Sequence, residues 1–329
     1  MKRHLPPAAI LLVVLSVLAA CAAPGGSPGK SDPGESRAPT ASDGGGGAGG
    51  QGGEAIEHPT GSDDPILVVD SVGGFVPVEF MVTQMPSFAL YGDGRVVTMG
   101  MQTLEFPGPA LPALVERRLT ESGIQDVLRA AVETGQFESS RELRGAMSIV
   151  ADAADTRFAL TAGGREVLVS IYGLGSLMPG MELPPEMPAS EGAAHEALTA
   201  FNDQLLGLDS WLPSEAWATE GWLPYEPTGL RLYVRDVTDE PVDANVPEHV
   251  LDWPTEDDPA AFGEEQPFFG NGTRCGVVEA EAAEAWLESL VEANQSTRWT
   301  DDGERRFSVL PRPLLPHDEV SCPEIGGAA

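Results

Sequence analysis

After residue 64, apolar residues recur with two different spacings along the chain. The first, short apolar runs and alternation at every second residue, predicts strands. Residues 65–72 and 76–83 are apolar runs of strand length, rich in β-branched residues. Four apolar residues of the second run alternate on one face: Val76, Val78, Phe80 and Val82. Three glycine-containing pairs lie between further strand-like runs and predict tight hairpins: Asp93-Gly94, Gly163-Gly164 and Asp302-Gly303.

The second period is helical. Residues Thr120 or Ser122 can cap a helix that ends at Gly135 and carries an apolar stripe: Ile124, Val127, Leu128 and Ala131. A helix from about Ser190 is expected to bury four residues: Ala194, Leu198, Phe201 and Leu205. A third helix, residues 280–292, is expected to turn four residues inward: Trp286, Leu287, Leu290 and Val291.

These elements predict an α+β fold in which antiparallel hairpins alternate with amphipathic helices. Residues 64–210 and 211–329 both contain the order strand, helix and hairpin, which suggests two related α+β subdomains. No residue pattern recurs at a fixed period, so the sequence leaves open whether the two are a duplication.

The N-terminus has the organisation of an export signal. Lys2, Arg3 and His4 precede an apolar run over residues 8–18, which is shorter than the roughly 20 residues that span a bilayer. The sequence Leu18-Ala19-Ala20-Cys21 that follows resembles the lipobox of bacterial lipoproteins. That resemblance implies a signal peptide over residues 1–20, cleavage before Cys21, and a Cys21 acylated with chains such as palmitate.

Residues 21–63 are predicted to be the lipidated cysteine and a disordered tether. Residues 22–63 are mainly Gly, Ser, Pro and Ala with a few charges and almost no large apolar side chain. A flexible chain of that length has an r.m.s. span of roughly 35 Å. We expect it to hold the folded body away from the membrane surface.

The charge of the chain makes nucleic acid and anionic lipid poor candidate partners. Of 19 basic and 51 acidic residues, removal of the signal takes Lys2 and Arg3, so the mature balance is 17 − 51 = −34. A field of that sign repels nucleic acid and anionic lipid. It favours cationic ligands, although solubility alone also accounts for it.

Cys275 and Cys322 remain once the lipobox cysteine is set aside, and in an oxidising compartment they are expected to form a disulfide bond. A metal role is disfavoured because neither has further ligands at motif spacing. We expect no cofactor.

Two groups of residues are candidate binding sites. Four aromatic residues on a Pro- and Gly-containing segment suggest either a stacking platform for sugars or a cap on the core: Trp211, Trp217, Trp222 and Tyr225. Eight carboxylates in a long loop suggest either a cation site or a solvated loop: Asp236, Asp239, Glu240, Asp243, Asp252, Glu256, Asp257 and Asp258. The scattered histidines have no metal-ligand partner at helical spacing, so we expect solvated imidazoles.

Three stretches together resemble uncharacterised lipoproteins of high-GC Gram-positive bacteria: the lipobox, Gly74-Phe75-Val76-Pro77 leading to the first hairpin, and residues 312–316 before Cys322. The resemblance implies a lipid-anchored protein on the outer face of the cytoplasmic membrane and carries no activity, catalytic residue or ligand.

The leading hypothesis is therefore a non-catalytic binding or interaction module of the cell envelope, with a cell-wall or membrane-protein partner. One alternative is an extracytoplasmic hydrolase that cuts wall polysaccharide with a carboxylate pair. The other is a cation-binding protein that uses the acidic loop.

Overall fold

A computed structural model describes residues 54–177, 180–185, 187–301 and 303–323. For residue 148 it describes the backbone only. The predicted signal peptide, the lipidated Cys21 and most of the predicted tether lie outside the described residues. The described residues belong to one compact unit, which contains two lobes, each built on its own sheet.

The first lobe, residues 54–225, contains eight strands: β1 (Pro65–Gly73), β2 (Phe88–Tyr91), β3 (Arg95–Met99), β4 (Leu114–Arg118), β5 (Arg141–Leu143), β6 (Ala154–Ala162), β7 (Arg165–Tyr172) and β8 (Leu223–Pro224). They form one sheet in the order β5-β7-β6-β1-β2-β3-β4-β8. All neighbours are antiparallel except β5 and β7, which are parallel.

Four α-helices belong to the described part of the first lobe: α1 (Val78–Thr83), α2 (Glu121–Glu133), α3 (Ala189–Leu206) and α4 (Leu208–Trp211). The hydroxyl of Thr120 accepts a hydrogen bond from the backbone N–H of Gly123, which satisfies one free donor at the start of α2. The apolar stripes of α2 and α3 pack on one face of the sheet and form the largest core of the protein.

The described part of the second lobe, within residues 229–323, contains six strands and one α-helix: β9 (Gly229–Asp236), β10 (Val250–Asp252), β11 (Glu264–Glu265), β12 (Arg274–Glu279), α5 (Ala280–Leu290), β13 (Arg298–Thr300) and β14 (Arg306–Pro313). The sheet order is β10-β13-β14-β9-β12-β11, with only β10 and β13 parallel. Trp286 and Leu290 of α5 pack against Trp299 and Phe307 of this sheet.

The fold is α+β, as predicted. The turns at Asp93-Gly94 and Gly163-Gly164 join paired strands, and the third hairpin joins β13 to β14, although Asp302 lies outside the described residues. Two local predictions are wrong. Residues 78–83 form a helix rather than part of a strand, and Val291 is exposed because α5 ends at Leu290.

The boundary between the lobes lies near residue 226 rather than at 211, because the segment from Trp211 to Trp222 packs against the core of the first lobe. The strand orders of the two sheets also differ. In the hairpin β6-β7 of the first sheet, the earlier strand, β6, lies nearer the middle of the sheet. In the hairpin β13-β14 of the second sheet, the later strand, β14, lies nearer the middle. The topology therefore gives no support to a duplication.

The ordered body begins before residue 64. Ile56 exchanges two hydrogen bonds of 2.8 Å with the side-chain amide of Gln125 in α2, and Gly163 donates to the carbonyl of Glu57 at 2.6 Å. A Cβ at Gly92 would lie 2.7 Å from the backbone of Pro59 and Gly61. Residues 56–61 thus belong to the folded body rather than to the predicted tether.

The C-terminal tail, residues 314–322, joins the two lobes. Leu315 packs against Val68 and Tyr91 of the first sheet, on the face opposite to α2 and α3. Cys322 is bonded to Cys275 in β12, with an Sγ–Sγ distance of 1.96 Å. The disulfide therefore ties the tail to a strand of the second sheet.

Polar contacts hold the same tail. Arg312 makes a two-pronged ion pair with Asp318, at 2.7 and 3.1 Å. Burial raises the pKa of Asp318, but the hydrogen bonds and charge of Arg312 outweigh it and hold the pKa below its usual range. The neighbouring His317 shares a 2.8 Å hydrogen bond between Nδ1 and the Tyr91 hydroxyl, and burial lowers the pKa of His317.

Candidate functional site

The predicted aromatic platform does not form an open surface. Trp217 and Trp222 stack edge to face with ring centroids 5.7 Å apart, and both pack on the core of the first lobe together with Trp211. The indole N–H of Trp211 donates to the carbonyl of Gln204 at 2.8 Å. Tyr225 lies apart in another cluster, where its hydroxyl donates to the carbonyl of Leu314.

A cation covers the outer face of this cluster. The guanidinium of Arg117 lies 3.8 Å from the ring centroid of Trp217 and makes an ion pair with Asp209, whose other oxygen accepts from the Trp222 indole at 2.7 Å. Arg117 also donates to the carbonyls of Thr219 and Glu220. The polar groups that a sugar would use are paired internally, which favours the core interpretation of these aromatics.

The acidic loop uses several of its carboxylates for local structure. Asp236 accepts from the N–H and hydroxyl of Thr238, and Asp243 accepts from the N–H of Asn245. Glu240 pairs with Arg235, and Asp258 pairs with Arg305. Within the described ranges, no group of three or more His, Cys, Asp or Glu residues has an arrangement that could hold a metal ion.

None of the four described histidines is the solvated imidazole that the sequence suggested. His58 contacts Glu121, His249 contacts Thr297, and His317 contacts Tyr91. His195 is buried in α3, and neither ring nitrogen has a hydrogen-bond partner among the described residues. Burial lowers its pKa, so the ring is held neutral.

A site that the sequence did not reveal lies between the lobes. A cleft of about 880 Å³ opens between α1, the loop from Met99 to Pro112, and strand β14. Both lobes contribute to its walls, the first through residues such as Phe75 and Met85, and the second through Leu310 and Gln295. Its volume lies in the range of ligand-binding clefts.

Uncovered apolar side chains surround this cleft. Five large ones are exposed by two thirds or more, from 67 % for Phe80 to 102 % for Leu104, the others being Phe75, Met101 and Phe106, and three neighbours are exposed to a lesser degree: Val76, Met81 and Met99. Soluble monomers expose such residues singly, whereas these five come from two short segments that border one cleft. We call these five side chains the apolar rim.

The segments that carry the rim are fastened at both ends. After β1, Gly74 adopts φ +82°, and the N–H of Phe75 donates to the carbonyl of Asp152 at 3.0 Å. Val82 of α1 then packs against Tyr233 and Cys275 of the second lobe. The rim residues Phe75 and Phe80 therefore project from an anchored segment.

The second rim segment is held in the same way. The amide of Gln102 bonds to the carbonyls of Gly100 and Ala113 and closes the base of the loop. Further along, the N–H of Gln295 donates to the carbonyl of Gly108 at 2.9 Å, which attaches the loop to the second lobe. Met101, Leu104 and Phe106 lie between these two fastenings.

All the charged residues among the described lining of the cleft are acidic. Glu79, Glu105 and Asp152 line it, and no Lys, Arg or His is among the described residues of its lining. A second cavity of about 320 Å³ lies against Phe106 and also includes Gln295. The loop from Met99 to Pro112 thus borders both cavities.

Comparison with protein-family models, with curated proteins and with solved structures gives no match for this chain. Among the described residues, no helix has the length and apolar character to cross a bilayer.

Proposed function

We propose that this protein is a non-catalytic binding module of the cell envelope, and that the apolar rim and its cleft are the binding surface. In this proposal Cys21 is acylated after removal of residues 1–20, and the body is held at the outer face of the cytoplasmic membrane. The resemblance of Leu18-Ala19-Ala20-Cys21 to a lipobox supports the anchor.

The main support for a binding role is that the five side chains of the apolar rim are exposed although their backbone is held by hydrogen bonds. Leaving Leu104 and Met101 in water costs solvation free energy that the fold does not recover, since neither touches a neighbour appreciably. A partner that covers them recovers that free energy. The fastened loops mean that little ordering is required on binding.

Alternating hairpins and amphipathic helices, in this proposal, form the rigid support on which the rim is displayed. The two alternative functions have less support. The sugar platform that a wall hydrolase would use packs on the core, and the acidic loop pairs several carboxylates with its own backbone and arginines.

Site-specific photo-crosslinking in native cells tests the proposal. A photoreactive phenylalanine analogue at position 104 is expected to give a discrete adduct, because Leu104 lies on the binding surface. The matched control places the same analogue at position 132 on α2, where Val132 is exposed but isolated from the rim. Equal adducts at both positions, or none at position 104, would refute the binding role.

The anchor is tested separately. Replacement Cys21→Ala is expected to release the protein from the membrane fraction, and mass spectrometry of the native protein is expected to show acyl chains on the N-terminal cysteine. Retention of the Cys21→Ala variant in the membrane, with an unmodified position 21 in the native protein, would reject the anchor and leave the binding surface to be judged by the crosslinks.

A further inference from the structure

We infer that the occupant of the apolar rim and its cleft is an extended protein segment, which adds a short strand beside the end of β1 and carries lysine or arginine between apolar residues. This inference rests on the proposed function and adds the form and chemistry of the partner. Four observations lead to it: the unpaired end of β1, the prolines of β14, the extent of the rim, and the sign of the charge.

The end of β1 is paired on one side only. β1 pairs with β6 over residues 67–73, whereas its pairs with β2 end at Val69. On the β2 side, the carbonyl of Val69 accepts from the N–H of Ser87 at 2.8 Å, and no described strand pairs with residues 70–73 there. We call residues 70–73 the open edge.

The backbone of the open edge faces the cleft. Alternate residues of a strand direct their N–H and C=O groups to the same side. Because Val69 directs its carbonyl to Ser87, Ser71 and Gly73 face that side too, and both line the cleft. No hydrogen bond from a described loop reaches the backbone of either residue. The open edge therefore offers the donors and acceptors that an added strand uses.

The first sheet has a gap beside the open edge. Where β1 and β3 both pair with β2, they lie two strand spacings apart, roughly 10 Å, with one strand between them. Beyond the start of β2, β1 continues to Gly73 and β3 continues to Met99. Ser71 on one side, Met99 on the other and Ser87 between them all line the cleft. An extended segment in the cleft can thus take the position in the sheet that β2 leaves.

A second unpaired stretch at the cleft, residues 309–313 of β14, is blocked by proline. The N–H of Leu314 donates to the carbonyl of Gly229 in β9, so the even-numbered residues of β14 face β9. The odd-numbered ones face the side where β13 has ended, and two of these three, Pro311 and Pro313, have no N–H to donate. Proline protects strand edges in this way. The open edge of β1 contains no proline and is the better acceptor of a strand.

The extent of the rim requires an occupant larger than a small molecule. Phe75 and Phe80 line the cleft, but Met101 and Leu104 do not, and these two are exposed by 97 % and 102 %. A small molecule bound between the lobes would leave them in water. Their loop begins at Met99, so a segment that leaves the gap in the sheet crosses the loop and covers them.

Backbone pairing favours an extended segment over a helix or a bilayer. A helix satisfies its own N–H and C=O groups, and lipid tails have none to offer. Either would cover Ser71 and Gly73 and leave their edge groups without water or a partner, which costs free energy. An extended segment covers the same apolar side chains and also pairs with these groups.

The charge of the cleft selects among extended segments. Glu79 and Glu105 are exposed within the two rim segments. The exposed Asp152 lies just past the open edge, where its backbone carbonyl accepts from the N–H of Phe75. Lysine or arginine in a bound segment pairs with these carboxylates. A second copy of this chain would instead bring its own net negative charge.

A synthetic peptide of about nine residues, which spans roughly 30 Å when extended, tests the inference. It has Val or Leu at odd positions and Lys at even positions, with both ends capped. One comparator has Glu in place of Lys. The other contains the same residues as the Lys peptide, rearranged to helical spacing and held as a helix by a side-chain staple. Fluorescence anisotropy with the mature protein is expected to show the extended Lys peptide bound at least about tenfold more tightly than either comparator.

Backbone methylation tests strand pairing directly. Two versions of the Lys peptide carry N-methyl groups on the odd or on the even residues, so each blocks one edge of the extended chain without a change of side chains. At least one version is expected to bind at least about tenfold less tightly than the parent. Parent-like binding by both would show that the backbone of the peptide does not pair.

A matched pair of variants tests the open edge itself. Ser71→Pro removes an N–H that faces the cleft and none that pairs with β6, so it is expected to weaken binding of the Lys peptide at least about tenfold. Ser71→Ala keeps the N–H and should bind as the unchanged protein does. If Ser71→Pro does not fold, amide exchange of the unchanged protein replaces it, and the N–H groups of Ser71 and Gly73 are expected to exchange more slowly when the peptide is bound.

Charge variants test the selection for basic residues. Glu79→Gln with Glu105→Gln is expected to reduce the preference for the Lys over the Glu peptide by about threefold to tenfold. The matched control is Glu284→Gln with Glu288→Gln on the exposed side of α5, which removes the same charge away from the cleft and should leave the preference unchanged.

Several results would overturn the inference. They are equal affinity for the extended and the helical Lys peptide, equal affinity for the Lys and Glu peptides, or binding to lipid vesicles that depends on Phe75 and Leu104 while the Lys peptide does not bind. If crosslinks at position 104 persist in cells under any of these outcomes, the proposed function stands and only the form and chemistry of the partner are rejected.

Discussion

Residues 211–222 and residues 99–106 are both largely irregular segments of the first lobe, rich in large apolar side chains, and they differ in what covers them. In the first, Trp217 is stacked under Arg117, and Trp222 donates to Asp209. In the second, Met101 and Leu104 are exposed although both ends of the loop are hydrogen-bonded. The contrast shows that apolar composition alone does not determine whether a segment is covered, whereas the packing around the segment does.

Among the variants that test this comparison, Trp217→Ala is expected to have the largest effect on the free energy of unfolding. Removal of a packed indole leaves a cavity and an uncovered guanidinium, so the free energy of unfolding is expected to fall by about 3 kcal/mol. Urea unfolding followed by circular dichroism measures it. The comparison would fail if Leu104→Ala, the control from the other segment, destabilised the protein as much.

A smaller loss is expected from Arg117→Ala, about 1–2 kcal/mol in the same assay, because the cation over Trp217 and the hydrogen bonds to two carbonyls are removed together. Arg117→Lys is expected to recover less than half of the loss, since an ammonium cannot stack and bridge as a planar guanidinium does. Full recovery by lysine would show that charge alone accounts for the contact.

A change of pH distinguishes covered from uncovered regions. Burial lowers the pKa of His195 and of His317, so the unfolded chain binds more protons once the pH falls below about 6.5. The stability that neutral imidazoles contribute is present above that pH and is lost as the pH falls toward the folded-state pKa values. Thermal melts between pH 8 and 5.5 are expected to show a loss smaller than that caused by Trp217→Ala.

The double variant His195→Gln with His317→Gln serves as the control and is expected to flatten this slope. The cleft lining contains no described histidine, so the fluorescence of the neutral dye Nile red at the rim should change little over the same range. An unchanged slope in the double variant would show that other groups titrate.

The smallest effect on stability is expected from Phe75→Ser with Leu104→Ser, within about 0.5 kcal/mol, because both side chains are exposed by more than four fifths. Nile red fluorescence should nevertheless fall in this variant. Val132→Ser with Val291→Ser removes two isolated exposed side chains and should leave the dye signal intact. Equal dye loss in both variants would contradict a localised apolar rim.

Local turn and capping chemistry explains why much of the fold can be predicted from the sequence. Asp93-Gly94 specifies a tight turn whatever surrounds it, and Thr120 caps α2 through its own hydroxyl. The strand predicted over residues 76–83 is wrong, because alternation over so few residues fits either a strand or a short helix. Contact of Val82 with Tyr233 and Cys275, which are distant in sequence, accompanies the helix.

The candidate site could not be predicted for a related reason. Residues 73–87 and 99–113 contain only Glu79 and Glu105 as charged residues, in a chain that is 21 % charged. That scarcity was visible in the sequence, but it is equally typical of a core. Only the arrangement of the two lobes shows that Phe75 and Leu104 have no neighbours to cover them.

The tail over residues 314–322 has a consequence for the redox sensitivity of the molecule. Leu315 and His317 contact the first sheet, and Cys322 bonds to the second. Because few residues separate these contacts, the tail is a short crosslink between the sheets, and the disulfide makes one of its ends covalent. The spacing of the two cleft walls is thus linked to the oxidation state of one cysteine pair.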